Sequence, residues 1–425
     1  CIRDSNCCGR SRPVFAGAII LSLLFSCLPV LASGPYPLLA GESQAHEMTA
    51  DQPLVFTLDA EAGAAYLFEV DQGGFELKVD VQDPNGESGS FDFPMYGDWA
   101  TFRDEKEILL IEPERGGQYL ITVFTSENTG TIAYPRATLT RIDTDNELLP
   151  AYRLMTKAAS TYAESVWLGA LDILQQTVRL LGSTENAALL GRCRMGVAAL
   201  YYLQSEDYDN AQKWFGLAES AYRESGDELL ASFALQFQAT IQADTAHEIE
   251  KTPSRGLAPE ARAIFDEVLA TFSRILDIQQ SQGNRFAAAG TLSLFGYTYW
   301  LMSDYDNAFE FSTRAAEEYQ DLKEWGALPW ALNNVAVYEY DRGNLIHARD
   351  SLLGILDSLP DSDTSPDRAL WLDNLGAMHL RLGELDQALK TYSAAKELHE
   401  KAADKGHMGD ALEGLGDTYL CLLYT

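Results

Sequence analysis

The spacing of apolar and polar positions along the chain changes once, near Pro150. Between residues 51 and 142, apolar side chains recur at alternate positions. They do so in Val55 to Leu58, Ala65 to Val70, Phe75 to Val81, Ile108 to Ile111, Tyr119 to Phe124 and Ala137 to Thr140. Alternation turns one face of an extended segment to a core and the other to water. Gln72-Gly73-Gly74, Asp83-Pro84-Asn85-Gly86 and Arg115-Gly116-Gly117 interrupt these runs. Such residues suit turns because Gly and Asn reach positive φ and Pro fixes φ. The segment predicts a small antiparallel β-sandwich over 51–142, with 33–50 as a linker ahead of it.

After Pro150 the period becomes helical, and a longer period lies over it. Gly296, Tyr299 and Ala308 define a set: a small residue, a large one three later, and Ala twelve later. Ala336 and Ala348 repeat it forty residues on, Gly376 and Ala388 after forty more, and Gly416 after another forty. Stepping back from Ala199, with Tyr202 and Ala211, gives Ala159 with Tyr162; stepping forward gives Ala239. The 57 residues from Ala239 to Gly296 are one period plus 17, and the surplus falls in the polar stretch His247 to Gly256. A small residue at a helix crossing lets two backbones approach, while Tyr or Leu fills the groove beside it. A single pair cannot cover its apolar face, so pairs stack. The chain is therefore expected to be mainly α, with 151–425 forming about six complete hairpins and an incomplete seventh.

Composition narrows the function classes. The 425 residues carry 31 Lys plus Arg against 63 Asp plus Glu, a formal charge of −32. That surface repels phosphate backbones and anionic lipid heads, so nucleic acid is not an expected partner. Arg3, Arg10 and Arg12 precede an apolar run from Val14 to Leu31, which has the layout of a secretory signal over 1–32. An uncleaved anchor is the second reading and a lipoprotein acceptor at Cys27 the third. A periplasmic or secreted location follows, with membrane contact only through the leader. Of the six cysteines, Cys1, Cys7, Cys8 and Cys27 belong to that leader. Cys193, alone in a folded segment, is expected to pack as a small buried residue. The first residue is not Met, and the helical pattern runs into Thr425, so the natural chain is expected to extend at both ends.

Several segments resemble tetratricopeptide (TPR) repeats: Tyr208-Asp209-Asn210-Ala211, Tyr305-Asp306-Asn307-Ala308 and Gly383-Glu384-Leu385-Asp386-Gln387-Ala388. Leu332-Asn333-Asn334-Val335-Ala336 and Leu372-Asp373-Asn374-Leu375-Gly376 resemble the longer-period branch seen in kinesin light chains. The resemblance implies a right-handed α-solenoid whose first helices line a concave groove. Carried onto this register, it points Tyr297, Trp300, Trp330, Asn333, Val337, Tyr340, Asp373 and Ala377 into the groove. It also implies that Asn334 and Asn374 bond the backbone of a bound peptide; the alternative is that they tie neighbouring helices together. The chain departs from the pattern at Ser312, where an aromatic is usual, and at Ala239, which has no clear helix partner before Val268. Phe75 to Gly86, followed by Gly116-Gly117-Gln118-Tyr119-Leu120-Ile121-Thr122-Val123, is similar to bacterial pre-peptidase C-terminal domains. Leader, β-domain and repeats together resemble the N-terminal part of bacterial CHAT-domain proteins. That resemblance implies a caspase-like cysteine peptidase beyond Thr425.

For this chain no catalytic constellation, cofactor or metal site is expected. The six histidines are scattered, and neither a phosphate loop, a nucleophile elbow nor a zinc-type His pair is present. His379, three after Gly376, occupies a packing slot. Asp361 to Asp367 mimics the start of a calcium loop but places Pro366 where Gly is needed and Leu372 where a carboxylate is needed. The expected function is an exported scaffold that holds a protein or peptide segment. The alternative is the sensing half of a larger peptidase.

Overall fold

In the computed structural model, which describes residues 33–49, 52–71, 77–91, 106–125, 135–182, 184–250, 258–324, 326–358, 366–402 and 404–424, the change of period near Pro150 separates strands from helices. The leader-like run, Phe75 and Glu76, and residues 251–257 and 359–365, which include most of the calcium-like stretch, lie outside the described residues. The chain divides into two compact units. One runs to Thr291 and includes Asp321–Gly326; the other comprises Leu292–Gln320 and Ala327–Thr425.

The first unit opens with β1 (Ser33–Pro37), β2 (Ser43–Ala45), β3 (Leu54–Ala60), β4 (Ala65–Asp71), β5 (Leu77–Gln82), β6 (Ser88–Phe91), β7 (Lys106–Ile111), β8 (Gly117–Thr125) and β9 (Arg136–Ile142). One sheet has the order β1-β3-β8-β5-β6 and the other β2-β9-β4-β7. Alternating side chains of both sheets meet in one core: Leu54, Phe56, Leu58, Ile121 and Val123 from the first, and Phe68, Val70, Leu109, Ile111 and Leu139 from the second. Two expectations need correction. Residues 33–50 are not a linker, because β1 and β2 add a strand to each sheet. Nor is the pairing wholly antiparallel: β1 lies parallel to β3, a geometry that needs a crossover, which β2 supplies from the other sheet. The Asp83-Pro84-Asn85-Gly86 turn joins β5 to β6. There Asp83 Oδ1 accepts from the Asn85 and Glu87 backbone N–H groups at 2.9 and 2.8 Å, which holds its carboxyl below the usual range.

Helix α1 (Leu149–Ala163) docks directly on this β-region. Leu149 and Tyr152 join Ala65, Leu67, Ile108, Leu110 and Ile142 in an apolar seam. Leu110 N–H donates to Thr156 Oγ1 at 2.9 Å, and Arg153 makes a two-pronged bond to Glu112 at 2.8 and 2.6 Å. The ion pair is more than a third exposed on both sides, so the seam carries most of the attachment.

Antiparallel hairpins follow: α1 with α2 (Trp167–Leu181), α3 (Ala187–Leu203) with α4 (Tyr208–Glu224), and α5 (Glu228–Glu250) with α6 (Pro259–Ser281). Ala159, Ala199 and Ala211 are buried at these crossings, and Tyr202 packs against Tyr208, Phe215 and Phe237. Cys193 is fully buried, and loss of water around its sulfur pushes the thiol up to about 12, so it is inert at neutral pH. Ala239 does have its partner, because α6 buries Val268 beside Phe265 and Phe272. Nor does the 17-residue surplus sit wholly in a loop. His247 to Glu250 are helical, and α5 and α6 run 23 residues each, against 17 for α3 and α4. Polar composition marks that stretch as a breaker in sequence, but its described part, His247 to Glu250, is helical.

Helices α7 (Arg285–Leu301) and α8 (Tyr305–Leu322), α9 (Leu328–Asp341) and α10 (Leu345–Ser358), α11 (Pro366–Leu382) and α12 (Leu385–Lys401), and then α13 (Lys405–Tyr424) continue the alternation. A Cβ on Gly296 would fall 2.2 Å from Ser312 Oγ and 3.0 Å from Ala308 O, so the small side chain of Ser312 and the glycine are matched. Phe311 replaces the missing aromatic, stacking on Phe295 and Tyr299 at 4.8 and 5.4 Å. Ala308, Ala336, Ala348 and Ala388 are fully buried, and a Cβ on Gly376 would meet the Tyr392 ring at 2.9 Å. Gly416 breaks the series. Nothing lies within 4 Å of its would-be Cβ, whereas one on Gly414 would fall 2.3 Å from Tyr392. Ala411, Gly414 and Thr418 share the buried face of α13, and Gly416 lies off it.

Local capping fixes where these helices begin. Asp207 and Asp304 accept from the Asn210 and Asn307 backbone N–H groups, and each also takes that Asn's side-chain amide at 2.7 Å. The repeated Tyr-Asp-Asn-Ala is therefore a start signal together with the acid before it.

Candidate binding surface

Helix α9 presents Trp330, Asn333, Asn334, Val337 and Tyr340 at spacings of three and four, hence on one face; α11 does the same with Asp373, Asn374 and Ala377. The structure sorts these residues by how far they are already engaged. Trp330, Asn334, Val337, Tyr340, Asn374 and Ala377 are half-buried, whereas Tyr297, Trp300, Asn333 and Asp373 are buried.

The buried members are bonded within the fold. Trp300 Nε1 donates to Asp341 Oδ2 at 2.6 Å, linking α7 to α9, and its ring stacks between Tyr297 and Tyr338. Asn374 Nδ2 donates to Asn333 Oδ1 at 2.9 Å, linking α9 to α11. Asp373 accepts from His399 Nε2 of α12 at 2.7 Å; burial pushes this carboxyl up, and the His399 bond draws it part of the way back. The half-buried members reach across as well. Trp330 Nε1 donates to Asp367 Oδ2 at 3.2 Å, with its ring edge-on to Trp371, and the Arg381 guanidinium lies 5.2 Å over the Tyr340 ring.

Side chains that tie helices together and side chains without such a bond thus share one stripe. The Asn333–Asn374 pair is of the first kind. Asn334, half-buried, makes no side-chain hydrogen bond among the described residues and shares its helix face with Trp330 and Tyr340. His379 is buried against Glu384, its Nδ1 2.6 Å from that carboxylate, which also accepts from Arg349; both partners hold Glu384 below the usual range. Asp341, Asp367 and Arg381 are members of the stripe that the register did not nominate. Their signal was a recurring separation: 41, 37, 41 and 41 residues divide the bonded pairs Trp300–Asp341, Trp330–Asp367, Asn333–Asn374 and Tyr340–Arg381.

No protein-family model matches the sequence, and no curated protein does. Among solved structures the chain is similar to the apo form of RapI, at 13% identity over 64% of this chain and 97% of that one, with a TM-score of 0.44. It is similar also to a Rap protein complexed with competence and sporulation factor, at 14% identity over 66% and 75%, TM-score 0.44. A third is a tetratricopeptide repeat protein from Parabacteroides merdae, at 12% identity over 63% and 98%, TM-score 0.34. The reading of the helical hairpins rests on the chain's own forty-residue register and on the packing at Gly296, Ala336 and Gly376.

Proposed function

We propose that the chain is an exported scaffold that holds an extended peptide or protein segment along the α9–α11 stripe. The observation that carries this is Asn334: a half-buried amide that makes no side-chain hydrogen bond among the described residues and shares a helix face with half-buried Trp330 and Tyr340. An amide there can donate to and accept from one residue of a bound backbone at once, and flanking aromatic faces supply apolar contact at low entropic cost. A charge of −32 favours a partner segment that is neutral or basic. Export rests on the leader-like run 1–32, and a C-terminal peptidase rests on family resemblance alone; sequencing the gene downstream of Thr425 decides the latter.

The test is selection of peptides on the intact chain from a displayed random library. Affinity is then measured against Asn334→Ala and Trp330→Ala variants with unchanged circular dichroism. Each substitution should weaken the selected peptides about tenfold or more, the scale of a 1.4 kcal/mol contact. Peptides that bind both variants as tightly as the parent would remove the stripe as the binding surface.

A further inference from the structure

Where α12 gives way to α13, two imidazoles and a carboxylate converge. His399 lies in the last turn of α12, Asp404 caps α13, and His407 stands in its first turn. One ligand-capable atom from each lies within 4.8 Å of the others. His399 is 1% exposed. Its Nε2 is 2.7 Å from Asp373 Oδ2 on α11, while its Nδ1 faces Asp404 Oδ2 at 3.8 Å and has no hydrogen-bond partner. The same Oδ2 bonds His407 Nδ1, and Asp404 Oδ1 accepts from the His407 backbone N–H at 3.2 Å. The two imidazole rings stack with centroids 5.6 Å apart.

Helix capping alone accounts for Asp404 and His407, but not for His399. An imidazole whose Nε2–H is donated to Asp373 carries a lone pair on Nδ1. In the neutral ring that lone pair faces a carboxylate oxygen 3.8 Å away, beyond hydrogen-bond reach, and a metal cation between the two would satisfy both acceptors. The Asp373 bond has a second effect: a carboxylate behind a ligating imidazole fixes its tautomer and raises its basicity. Asp410 adds a negative charge to the neighbourhood of Asp373. Metal bonds of about 2.0–2.1 Å in a tetrahedron place neighbouring ligand atoms roughly 3.3 Å apart. For such a bond set the 3.8 Å separation must close slightly and the direct His407–Asp404 bond must open.

We propose that His399 Nδ1, Asp404 Oδ2 and His407 Nδ1 bind a late first-row divalent metal, with zinc as the reference ion, Asp373 orienting His399, and water in the fourth position. Two imidazoles suit such an ion and not calcium or magnesium, which take oxygen ligands. The metal fastens α13 to α12 and, through Asp373, to α11. Its His-x4-Asp-x2-His spacing straddles a helix junction, so a search for paired histidines on one helix passes over it.

The full chain, stripped with chelator, is titrated with cobalt(II) and with zinc(II) in competition with a chromophoric chelator. One ion per chain, a tetrahedral cobalt absorption band and a zinc-dependent rise in melting temperature are expected. His407→Gln and Asp404→Asn should abolish the band; the Asn retains the helix cap, so the fold is preserved. Asp373→Asn should weaken zinc by about 10- to 100-fold. Failure of the parent chain to bind zinc at submillimolar concentration would overturn the proposal, as would unchanged binding in His407→Gln and Asp404→Asn.

Discussion

Polar side chains join successive first helices in both units, yet they do so in opposite settings. Between α5, α6 and α7 the joint is sealed: Gln236, Gln279 and Thr291 are all buried, Gln279 Nε2 donates to Gln236 Oε1 at 3.3 Å, and Thr291 Oγ1 donates to Gln279 Oε1 at 2.7 Å. Between α9 and α11 the joint is half open, with Asn374 and Trp330 reaching partners at the rim and Asn334 unbonded beside them. Sealed bonds have no water to fall back on, so they specify one arrangement of helices. Open ones exchange with water cheaply and leave groups for a ligand.

The sharpest way to break this contrast is Gln279→Ala. It removes two of the three bonds of a dry site, leaving Thr291 only its 3.1 Å bond to Gln236 Oε1, and should lower stability to urea by about 2–3 kcal/mol; a shift no larger than that of a rim substitution would show the network to be hydrated. Next come the two indoles. Trp300→Phe, which deprives buried Trp300 of its bond to Asp341, should cost about 1–2 kcal/mol, and Trp330→Phe at the rim less than about 0.5 kcal/mol. Equal thermal shifts for the two would erase the distinction between sealed and open. Asn374→Ala should cost no more than about 1 kcal/mol in the same unfolding measurement, since water replaces the lost partner of Asn333 only in part. The smallest effect is expected at Ser303, which holds φ 60 in the α7–α8 turn where Gly283, Gly343 and Gly383 serve other turns. Ser303→Gly should raise stability by about 0.5 kcal/mol through relief of that conformation, seen as a small upward shift in melting temperature.

Much of the helical region could be read from the sequence because its constraint is periodic: Gly296 and Gly376 stand at crossings where a Cβ has no room, and Ala336 between them is fully buried. The same logic misplaced Gly416, since Gly414 is the residue that meets Tyr392, and a two-residue difference on one helix is invisible without its neighbour. Strands β1, β2 and β6 were missed for another reason. Ser33–Pro37, Ser43–Ala45 and Ser88–Phe91 are short and lie at sheet edges, where no side chain of β2 or β6 is fully buried, so their sequences show no apolar alternation. Of the binding stripe, the sequence showed which residues share a face. It could not show that Trp300, Asn333 and Asp373 are consumed by Asp341, Asn374 and His399, because those bonds join residues 26 to 41 positions apart.

The hydroxyl of Thr156 takes the amide proton of Leu110 on the outer margin of β7, the last strand of its sheet among the described residues. An open margin of that kind is a template on which foreign chains can align and polymerise. By laying α1 along it, the molecule makes its first helix a guard against clumping, and a chain cut before Leu149 would be expected to precipitate through that bared strand.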